Sequence, residues 1–328
     1  MLITRRAAST ASQPLALTIG NFDGVHLGHQ AMLAQVKQAA ERLGLTSCAM
    51  TFEPHPREFL APDQAPVRLT SLREKLSLLA KTGIARAQLI HFNLAFASIP
   101  ASTFISRILR RELDVRWLLI GDDFRFGANR SGDRMLLQQY AAQADSFELE
   151  IMPSFCINGL RVSSTAIREA LASGDLLLAK TMLGRDYCIS GRVVDGDKLG
   201  KKIGFPTANI CLEHNHPPLS GIFVVEVTDQ DSQQPDRRLP GVASLGTRPT
   251  IRDAGKPVLE VHLFDFDKEI YGHRLCVHFL HKLRDEAKFA DLGILTRQIA
   301  QDVVDAQQFF LIKNIKRNIP LEVYSFHP

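Results

Sequence analysis

Gly20-Asn-Phe-Asp-Gly-Val-His-Leu-Gly-His29 lies between an apolar run and an amphipathic stretch of the chain. Residues 15–19, directly before it, have the short apolar pattern of a strand buried in a parallel sheet. Residues 31–43, directly after it, carry apolar side chains at helical spacing. We therefore predict that these ten residues, the decapeptide, turn the chain from a strand into a helix within an α/β domain.

A turn of this kind suits a phosphate group. The first N–H groups of a helix have no partner inside the helix, and the helix dipole adds positive potential there. Glycine lets the backbone approach a ligand closely, and imidazole can donate hydrogen bonds to phosphate oxygens. The decapeptide is therefore a candidate phosphate site, with His26 and His29 as its candidate donors.

The composition limits the class of protein. A chain of 328 residues favours two domains, since a domain typically has roughly 150 residues. The chain has no apolar window near the ~20 residues that cross a membrane, and residues 1–13 lack the apolar core of a secretory signal. A net charge of +4 suits small phosphorylated molecules better than nucleic acid. Residues 313–317 are then the solvated end of a helix.

The cysteines indicate a reducing compartment. Five are present, an odd number, and they are scattered without Cys-x-x-Cys spacing. This pattern favours reduced thiols in the cytoplasm over disulfides or a zinc site. They are Cys48, Cys156, Cys188, Cys211 and Cys276.

Strand and helix patterns alternate as far as residue 183, and chemically capable side chains follow two of the predicted strands. His55 and Pro56 follow the strand at 46–52, and two prolines around the histidine predict a fixed loop. The strand at 115–120 runs into a stretch with carboxylates, an arginine and aromatic rings that can stack on a planar ligand: Asp122, Asp123, Phe124, Arg125 and Phe126. In an open α/β sheet this carboxyl edge binds ligands.

A second helix start follows at Ser163-Ser-Thr-Ala-Ile-Arg168. Serine before a helix is ordinary capping. Hydroxyl groups, N–H groups and an arginine at such a terminus can also hold phosphates.

Four motifs together resemble the FMN adenylyltransferase module of bacterial bifunctional riboflavin kinase/FAD synthetases, and the His-x-Gly-His spacing is that of the nucleotidyltransferase superfamily. The resemblance implies a Rossmann-like domain that transfers AMP from MgATP to FMN. It implies catalytic roles for His26, His29 and Arg168. It also implies an ATP and phosphate site at Gly20, Asn21, Phe22, Asp23, Gly24, Gly28, Ser163, Ser164 and Thr165, and a flavin site at His55, Pro56, Asp123, Phe124, Arg125 and Phe126.

Strand patterns replace helices after residue 184. Short alternating strands separated by Gly, Pro or Asp predict a small antiparallel barrel closed by a helix over residues 302–316. We therefore predict two domains, 1–184 and 185–328. On the strand at 258–264, Glu260 and His262 share the face opposite Leu259, Val261 and Leu263. Both are candidate inward-facing polar groups, although Glu260 can equally be a satisfied or exposed strand carboxylate on this pattern.

A loop rich in glycine and lysine, at residues 195–204, precedes Pro206-Thr-Ala-Asn209. The loop suggests a cover for phosphates, although a solvated hairpin has the same composition. Thr207 and Asn209 face the same way on an extended strand, so their oxygens can together coordinate Mg²⁺.

This half resembles the riboflavin kinase module of the same family, through five stretches: 191–198, 204–209, 246–250, 259–263 and 283–289. The resemblance implies that Thr207 and Asn209 hold MgATP and that Glu260 is the general base for the ribityl 5′-hydroxyl of riboflavin. It further implies phosphate contacts at Gly196, Lys198 and Gly204, and flavin contacts at Arg284 and Phe289. Ser244 stands where asparagine is common in the family.

Two other interpretations of the sequence compete with this one. A class I synthetase-like enzyme acting on RNA shares His-x-Gly-His, but the modest charge and the lack of a Lys-Met-Ser-Lys-Ser loop argue against it. A flavin-binding protein without turnover conflicts with the joint presence of His26, His29, Thr207, Asn209 and Glu260. The expected partners are riboflavin, FMN and ATP, without nucleic acid or membrane, in a monomer or weak homo-oligomer.

Overall fold

The computed structural model describes residues 1–5, 13–196, 200, 203–213, 216–247 and 257–318. The chain divides into two compact units. The first unit comprises residues 1–168 and 182–184, and the second comprises residues 169–181 and 185–328. Each unit is described below by itself.

The first unit is built on a six-stranded sheet in which all neighbouring strands are parallel. Its order is β1-β4-β3-β2-β5-β6. The strands are β1 (Leu2–Thr4), β2 (Leu15–Ile19), β3 (Thr46–Glu53), β4 (Arg86–His91), β5 (Val115–Gly121) and β6 (Glu148–Met152). The predicted α/β domain is therefore confirmed.

Both faces of this sheet are buried, as the apolar pattern of β2 requires. Leu15 and Leu17 face one apolar cluster, and Ala16 between them faces another, which includes Leu33 and Val36 of the first helix.

The helices of the first unit alternate with its strands. They are α1 (Leu27–Leu43), α2 (Pro56–Leu60), α3 (Leu72–Lys81), α4 (Leu94–Ala97), α5 (Ala101–Thr103) and α6 (Arg134–Ala141). A π-helical segment (Phe104–Glu112) continues α5, and β7 (Cys156–Ile157) pairs with β8 (Leu160–Arg161). Helix α7 (Ser164–Ser173) begins in this unit, and α8 (Leu176–Leu183) ends in it.

The second unit is a closed antiparallel barrel of six strands, ordered β10-β13-β12-β11-β14-β9. Its strands are β9 (Tyr187–Val194), β10 (Ala208–Leu212), β11 (Gly221–Asp229), β12 (Arg238–Thr247), β13 (Pro257–Leu263) and β14 (Arg274–Arg284). Phe223 packs against Phe279 within the barrel at a ring-centroid distance of 5.2 Å. The predicted barrel is therefore confirmed.

The last helix, α9 (Leu292–Asn318), covers part of the outer face of the barrel. Ala306 of α9 is buried against Val224 and Val242, and neither valine faces the barrel interior. The helix begins ten residues before the predicted start at Asp302 because Asp291 caps it, with its Oδ1 accepting from Ile294 N at 2.8 Å.

His55 lies in the short connection between β3 and α2, as predicted, but Pro56 after it begins a helix instead of continuing the loop. His55 is the N-cap residue of α2, and its Nδ1 accepts a hydrogen bond from Arg57 N at 3.2 Å. Pro56 occupies the first turn, where proline is tolerated because the missing N–H has no helical partner there. Within the described residues, no helix is both long and apolar enough to span a membrane.

Candidate active sites

The decapeptide holds an unusual backbone. Phe22 and Val25 have φ values of +49° and +39°, in the left-handed region that is uncommon for bulky residues. Both side chains are buried, and burial holds the backbone in this form. A Cβ at Gly20 would lie 3.3 Å from the Phe22 ring, and one at Gly24 would lie 2.8 Å from Leu69. Glycine therefore fits at position 20, beneath the Phe22 ring, and is required at position 24, which packs against Leu69 of the core.

The two histidines stack at the start of α1. Their rings lie 3.6 Å apart with 14° between planes, and His26 Nδ1 accepts a hydrogen bond from His29 N at 3.3 Å. A neutral His26 that accepts at Nδ1 carries its proton on Nε2. Burial lowers the pKa of His29 well below its usual value, and the charges of His26 and Lys75 lower it further.

His29 also presents an unsatisfied atom. Its Nδ1 is buried and has no hydrogen-bond partner among the described residues. A buried polar atom without a partner is costly and marks a place where a ligand can bind.

Asp23 and Arg168 form a network of hydrogen bonds and one ion pair in the same unit as the histidines. The Asp23 carboxylate is buried and accepts from Leu69 N, Thr70 N and Thr70 Oγ1 at 3.0–3.1 Å. Arg168 Nη2 approaches Asp23 Oδ2 to 2.5 Å, and Arg168 Nε donates to Val67 O. In this conformation the Asp23 carboxylate orients Arg168 and the loop before α3.

The predicted serines tie the start of α7 to the same turn. Ser163 Oγ accepts from Ala166 N at 3.2 Å and thus caps the helix, while Ser164 Oγ donates to Asp23 O at 2.9 Å. Thr165 is exposed. Asn21 is also exposed, and its carbonyl accepts from Thr51 Oγ1 at 3.1 Å. The decapeptide and the start of α7 therefore meet, as expected of two phosphate-binding helix termini.

The carboxyl end of β3 carries a charged network next to His55. Arg68 forms ion pairs with Glu53, at 2.9 Å, and with Glu58. Burial alone raises the pKa of Glu58, but its hydrogen bonds and ion pair with Arg68 hold the pKa below its usual value. His55 N donates to Glu58 Oε2 at 3.2 Å, and burial lowers the pKa of His55 to about 4.

Lys75 is a residue of this site that sequence reasoning missed. It is buried on α3, and its Nζ lies 3.5 Å from Phe52 O. Burial lowers its pKa, against the opposing influence of the carboxylates Asp23 and Glu53. A lysine four residues before the buried Leu79 falls on the buried stripe of the helix, and this position was the available signal.

The stretch after β5 contributes an aromatic pair and exposed charges. Phe124 and Phe126 stack with centroids 5.5 Å apart, but Phe126 belongs to the core and only Phe124 is partly exposed. Asp123 pairs with Arg161 at 2.8 Å, and Arg125 pairs with Asp133 at 3.1 Å. Further phenylalanines, which sequence reasoning did not single out, continue this run with centroid separations of 5.4–6.2 Å: Phe104, Phe96, Phe92, Phe52 and Phe59.

In the barrel, strand register aligns residues that are far apart in sequence. Asn209 is directly opposite Glu260, and Glu260 is directly opposite Ser244. The row continues through Ile222 to Arg284. Directly opposite residues point to the same face and have Cβ atoms about 5 Å apart. Since Leu259 and its alternate neighbours on β13 are buried inside, this row lies on the outer face of the barrel, and the prediction that Glu260 and His262 face inward is wrong.

Thr207 precedes β10, and the backbone around it is closely packed. A Cβ at Gly196 would lie 2.2 Å from Asn209 Nδ2, and one at Gly200 would lie 3.2 Å from Thr207 Oγ1. A nitrogen of His262 lies 2.8 Å from Pro206 O, directly before Thr207. Gly204 has φ +89°. Lys198 lies outside the described residues.

Arg284 and Phe289 lie together at the far end of the row. The Arg284 guanidinium pairs with both oxygens of Asp302 at 2.8 and 2.7 Å. Its carbon Cζ lies 5.6 Å from the centre of the Phe289 ring. Gly246 is opposed by the Glu286 carboxylate, which leaves no room for a Cβ. Arg284 is thus held by α9 and by a stacked ring.

Comparisons with known proteins match both halves of the chain to known families. The model of the FAD synthetase family matches residues 8–166, and the model of the riboflavin kinase family matches residues 183–310. The curated relatives include bifunctional riboflavin kinase/FMN adenylyltransferases from Escherichia coli strain K12 and Haemophilus influenzae. The first is 46% identical over 90% of this chain and 92% of its own length, and the second is 45% identical over 92% and 96%.

A solved structure from Streptococcus pneumoniae, titled a macrolide-efflux protein, superposes with a TM-score of 0.76. It is 27% identical and covers 97% of this chain and 99% of its own. The order of the two matched modules, the identity and the near-complete coverage of the curated relatives decide the assignment: this chain belongs to the family of bifunctional riboflavin kinase/FMN adenylyltransferases.

Proposed function

We propose that this chain makes FAD from riboflavin in two ATP-dependent steps. The second unit phosphorylates riboflavin to FMN, and the first unit transfers AMP from ATP to FMN with release of pyrophosphate. The observation that carries the proposal is the presence of two separate constellations, stacked histidines at a helix N-terminus and a polar row across the barrel. Each lies within the match of the corresponding family model.

In the first unit, the adenylyl transfer needs positive potential around the triphosphate. A phosphate oxygen of FMN attacks the α-phosphorus, the bond to the bridging oxygen breaks, and pyrophosphate leaves. His26 donates from Nε2, and the first N–H groups of α1 add the helix dipole. Preorganised donors of this kind act mainly on the transition state, since charge shifts toward the leaving group there.

His29 is neutral in the free chain, because its pKa is held low by burial. A triphosphate beside it has the opposite effect, since negative charge favours the imidazolium. Binding of ATP therefore recruits a proton or a hydrogen bond at the unsatisfied Nδ1. Arg168 and Lys75 supply fixed charge on the same side of the unit, with Asp23 as the carboxylate that orients Arg168.

The flavin of FMN is proposed to bind at the carboxyl end of β3 and β5. His55 and Pro56 begin α2 there, and the aromatic run that includes the partly exposed Phe124 follows β5. An isoalloxazine ring stacks favourably on aromatic faces. Asp123 and Arg125 are exposed beside this ring and available to its polar atoms after exchange of their surface ion pairs.

In the second unit, Glu260 is proposed as the general base for the 5′-hydroxyl of riboflavin. It lies between Asn209 and Ser244 in the row across the barrel, so the hydroxyl oxygen and the γ-phosphate can meet on one face. The carboxylate takes the hydroxyl proton as the oxygen attacks the γ-phosphorus, the bond from that phosphorus to the bridging oxygen breaks, and ADP leaves. Phosphoryl transfer depends mainly on positioning and charge neutralisation, and the rigid row provides positioning.

The residues at the start of β10 fit a magnesium ion. Thr207 and Asn209 offer oxygen donors, which Mg²⁺ prefers, and two protein donors are the usual number beside phosphate and water. Gly196 and Gly200 leave the close space around these side chains that a Cβ would fill. Bound there, Mg²⁺ would neutralise phosphate charge. His262 holds the Pro206 carbonyl and so fixes the approach of Thr207.

We further propose a cytoplasmic monomer or weak homo-oligomer whose halves, 1–184 and 185–328, fold separately. The scattered cysteines support the location, and the two compact units support the independence.

The direct test is incubation with riboflavin and MgATP, followed by chromatography. Successive appearance of FMN and FAD is expected, together with pyrophosphate. In a second incubation, with excess FMN and MgATP supplied directly, failure to form FAD would refute the role of the first unit.

A further inference from the structure

Two of the five scattered cysteines come together with a histidine on the barrel. Cys188 of β9 is directly opposite His278 of β14, and Cys276 lies two residues along β14 on the same face. One ligand atom from each of the three residues lies within 4.8 Å of those of the other two. Sequence spacing gave no sign of this group, since β-pairing joins Cys188 and His278 across ninety positions of the chain.

We propose that Cys188, Cys276 and His278 form a binding site for a thiophilic divalent cation, with Zn²⁺ as the best match. Two sulfurs and one imidazole nitrogen are a ligand set that favours zinc over magnesium or calcium. With Zn–S near 2.3 Å and Zn–N near 2.0 Å, tetrahedral geometry places ligand atoms roughly 3.5–3.8 Å apart. Side-chain rotations that close the trio by about 1 Å reach that geometry.

The surroundings suit such a site. Cys276 is buried, whereas Cys188 and His278 are only partly buried, so a cation can enter from the solvent. His278 Nε2 lies 3.3 Å from Thr228 Oγ1, a contact of the type that orients metal-binding imidazoles. A water molecule is the fourth ligand, because the nearest carboxylate across the sheet, Glu226, already pairs with Arg238 and Lys313.

Charge is balanced when the cation binds. Each thiol loses its proton to solvent and each sulfur binds as a thiolate, so two protons leave as one Zn²⁺ arrives. The resulting centre has no net charge. Affinity therefore increases with pH until both thiols are ionised.

The site is structural rather than catalytic. Cys188 lies six residues along β9 from Val194, which is opposite Asn209 of the row through Glu260. At about 3.3 Å per residue this separation is roughly 20 Å. The cation instead links β9 and β14, the first and last strands of the barrel in chain order. It stabilises the folded form because the unfolded chain has no preformed site.

The test uses the full chain, reduced and freed of metal, and titrated with Co²⁺ as a spectroscopic probe before Zn²⁺ is added. We expect one equivalent of Co²⁺ with a thiolate-to-cobalt charge-transfer band and strong tetrahedral visible bands, both abolished by Zn²⁺. Loss of an outer-shell partner weakens metal binding by up to ~100-fold. Because Cys188 and His278 are direct ligands, Cys188→Ser and His278→Gln should weaken binding by at least that factor. Zn²⁺ should raise the melting temperature of the wild type but not of these variants.

Cys156→Ser and Cys211→Ser are matched controls, because both thiols are exposed and outside the trio. They should retain the cobalt bands. Cys276→Ser is informative if circular dichroism shows that it is folded. If it is not folded, the test rests on Cys188→Ser and His278→Gln, which replace partly buried residues. The proposal is overturned if the wild type shows no thiolate–cobalt band, or if the band survives in Cys188→Ser and His278→Gln.

Discussion

The site of the first unit is enclosed by hydrogen bonds, whereas the site of the second is a row of side chains on the outer face of the closed barrel. In the first unit, Asp23 accepts hydrogen bonds from two backbone N–H groups and from Arg168, and burial displaces the pKa values of His29 and His55. In the barrel, the alignment of Asn209, Glu260, Ser244 and Arg284 follows from strand register.

This difference indicates how each site tolerates change. A network that holds buried charge fails when one member is lost, because the remaining charge stays buried without a partner. A row fixed by backbone pairing keeps its geometry when one side chain is replaced. Substitutions in the first unit should therefore affect stability and activity together, and those in the barrel row should affect activity alone.

Among substitutions that distinguish the two sites, we expect the largest effect at Glu260 of the barrel. Glu260→Gln keeps the size of the side chain but removes the base, so riboflavin phosphorylation should slow by ~10²–10⁴-fold. Riboflavin binding and thermal stability should stay near wild type. Phosphorylation is measured by single-turnover kinetics, with the exposed Glu269→Gln as the matched control. A wild-type rate with chemistry rate-limiting would make Glu260 an ordinary strand residue.

The next effect tests the enclosed network. Asp23→Asn keeps the shape but removes the charge that pairs with Arg168, and should cost about 3 kcal/mol in the free energy of unfolding. Urea unfolding of the full chain is the measurement. Asp123→Asn removes a carboxylate from an exposed pair with Arg161 and is the control. If both variants lose stability equally, the enclosure of Asp23 has no special role.

Alongside His29, whose pKa is also lowered, His55 should contribute to the pH dependence of stability in the first unit. Its pKa is about 4 in the folded chain, against about 6.5 in the unfolded chain, so the unfolded chain binds the proton more readily. This contribution to stability is therefore full above pH ~6.5 and falls as pH decreases toward 4, by roughly 3 kcal/mol at most. His55→Gln should show a smaller loss between pH 7 and 4.5 than the wild type. Equal losses would contradict the buried neutral imidazole.

The smallest effect concerns the division between the units. Residues 169–181 group with the barrel, so a fragment starting at 169 should unfold at a higher temperature than one starting at 185. Both should give the circular dichroism of a folded barrel and convert riboflavin to FMN. An unfolded 185–328 fragment would show that the proposed boundary is wrong.

Much of this was available in the sequence, because motifs with local mechanisms are continuous. The decapeptide, the strand before it and the helix after it form one continuous segment, residues 15–43. The alternation at 259–263 likewise predicted that Glu260 shares a face with His262. These features depend on neighbours in the chain. The α/β and barrel classes followed from the same local periods.

What the sequence concealed depends on distant residues or on exceptions to local rules. Proline at the first turn of α2 starts a helix rather than forbidding one, which the loop prediction for His55 overlooked. The left-handed backbone at Phe22 and Val25 exists only because the core encloses both side chains. The row through Glu260 and the Cys188–Cys276–His278 trio arise from strand register, which no local pattern encodes.

The central claim is that one chain holds two independent active sites, and His29→Ala tests it most directly. With riboflavin and MgATP supplied, removal of one positioned donor should slow FAD formation by ~10²–10³-fold. Riboflavin should still be phosphorylated at the wild-type rate, so FMN accumulates. The exposed His91→Ala is the control and should form FAD normally. Equal loss of FMN and FAD formation in His29→Ala, or no loss of either, would contradict the account.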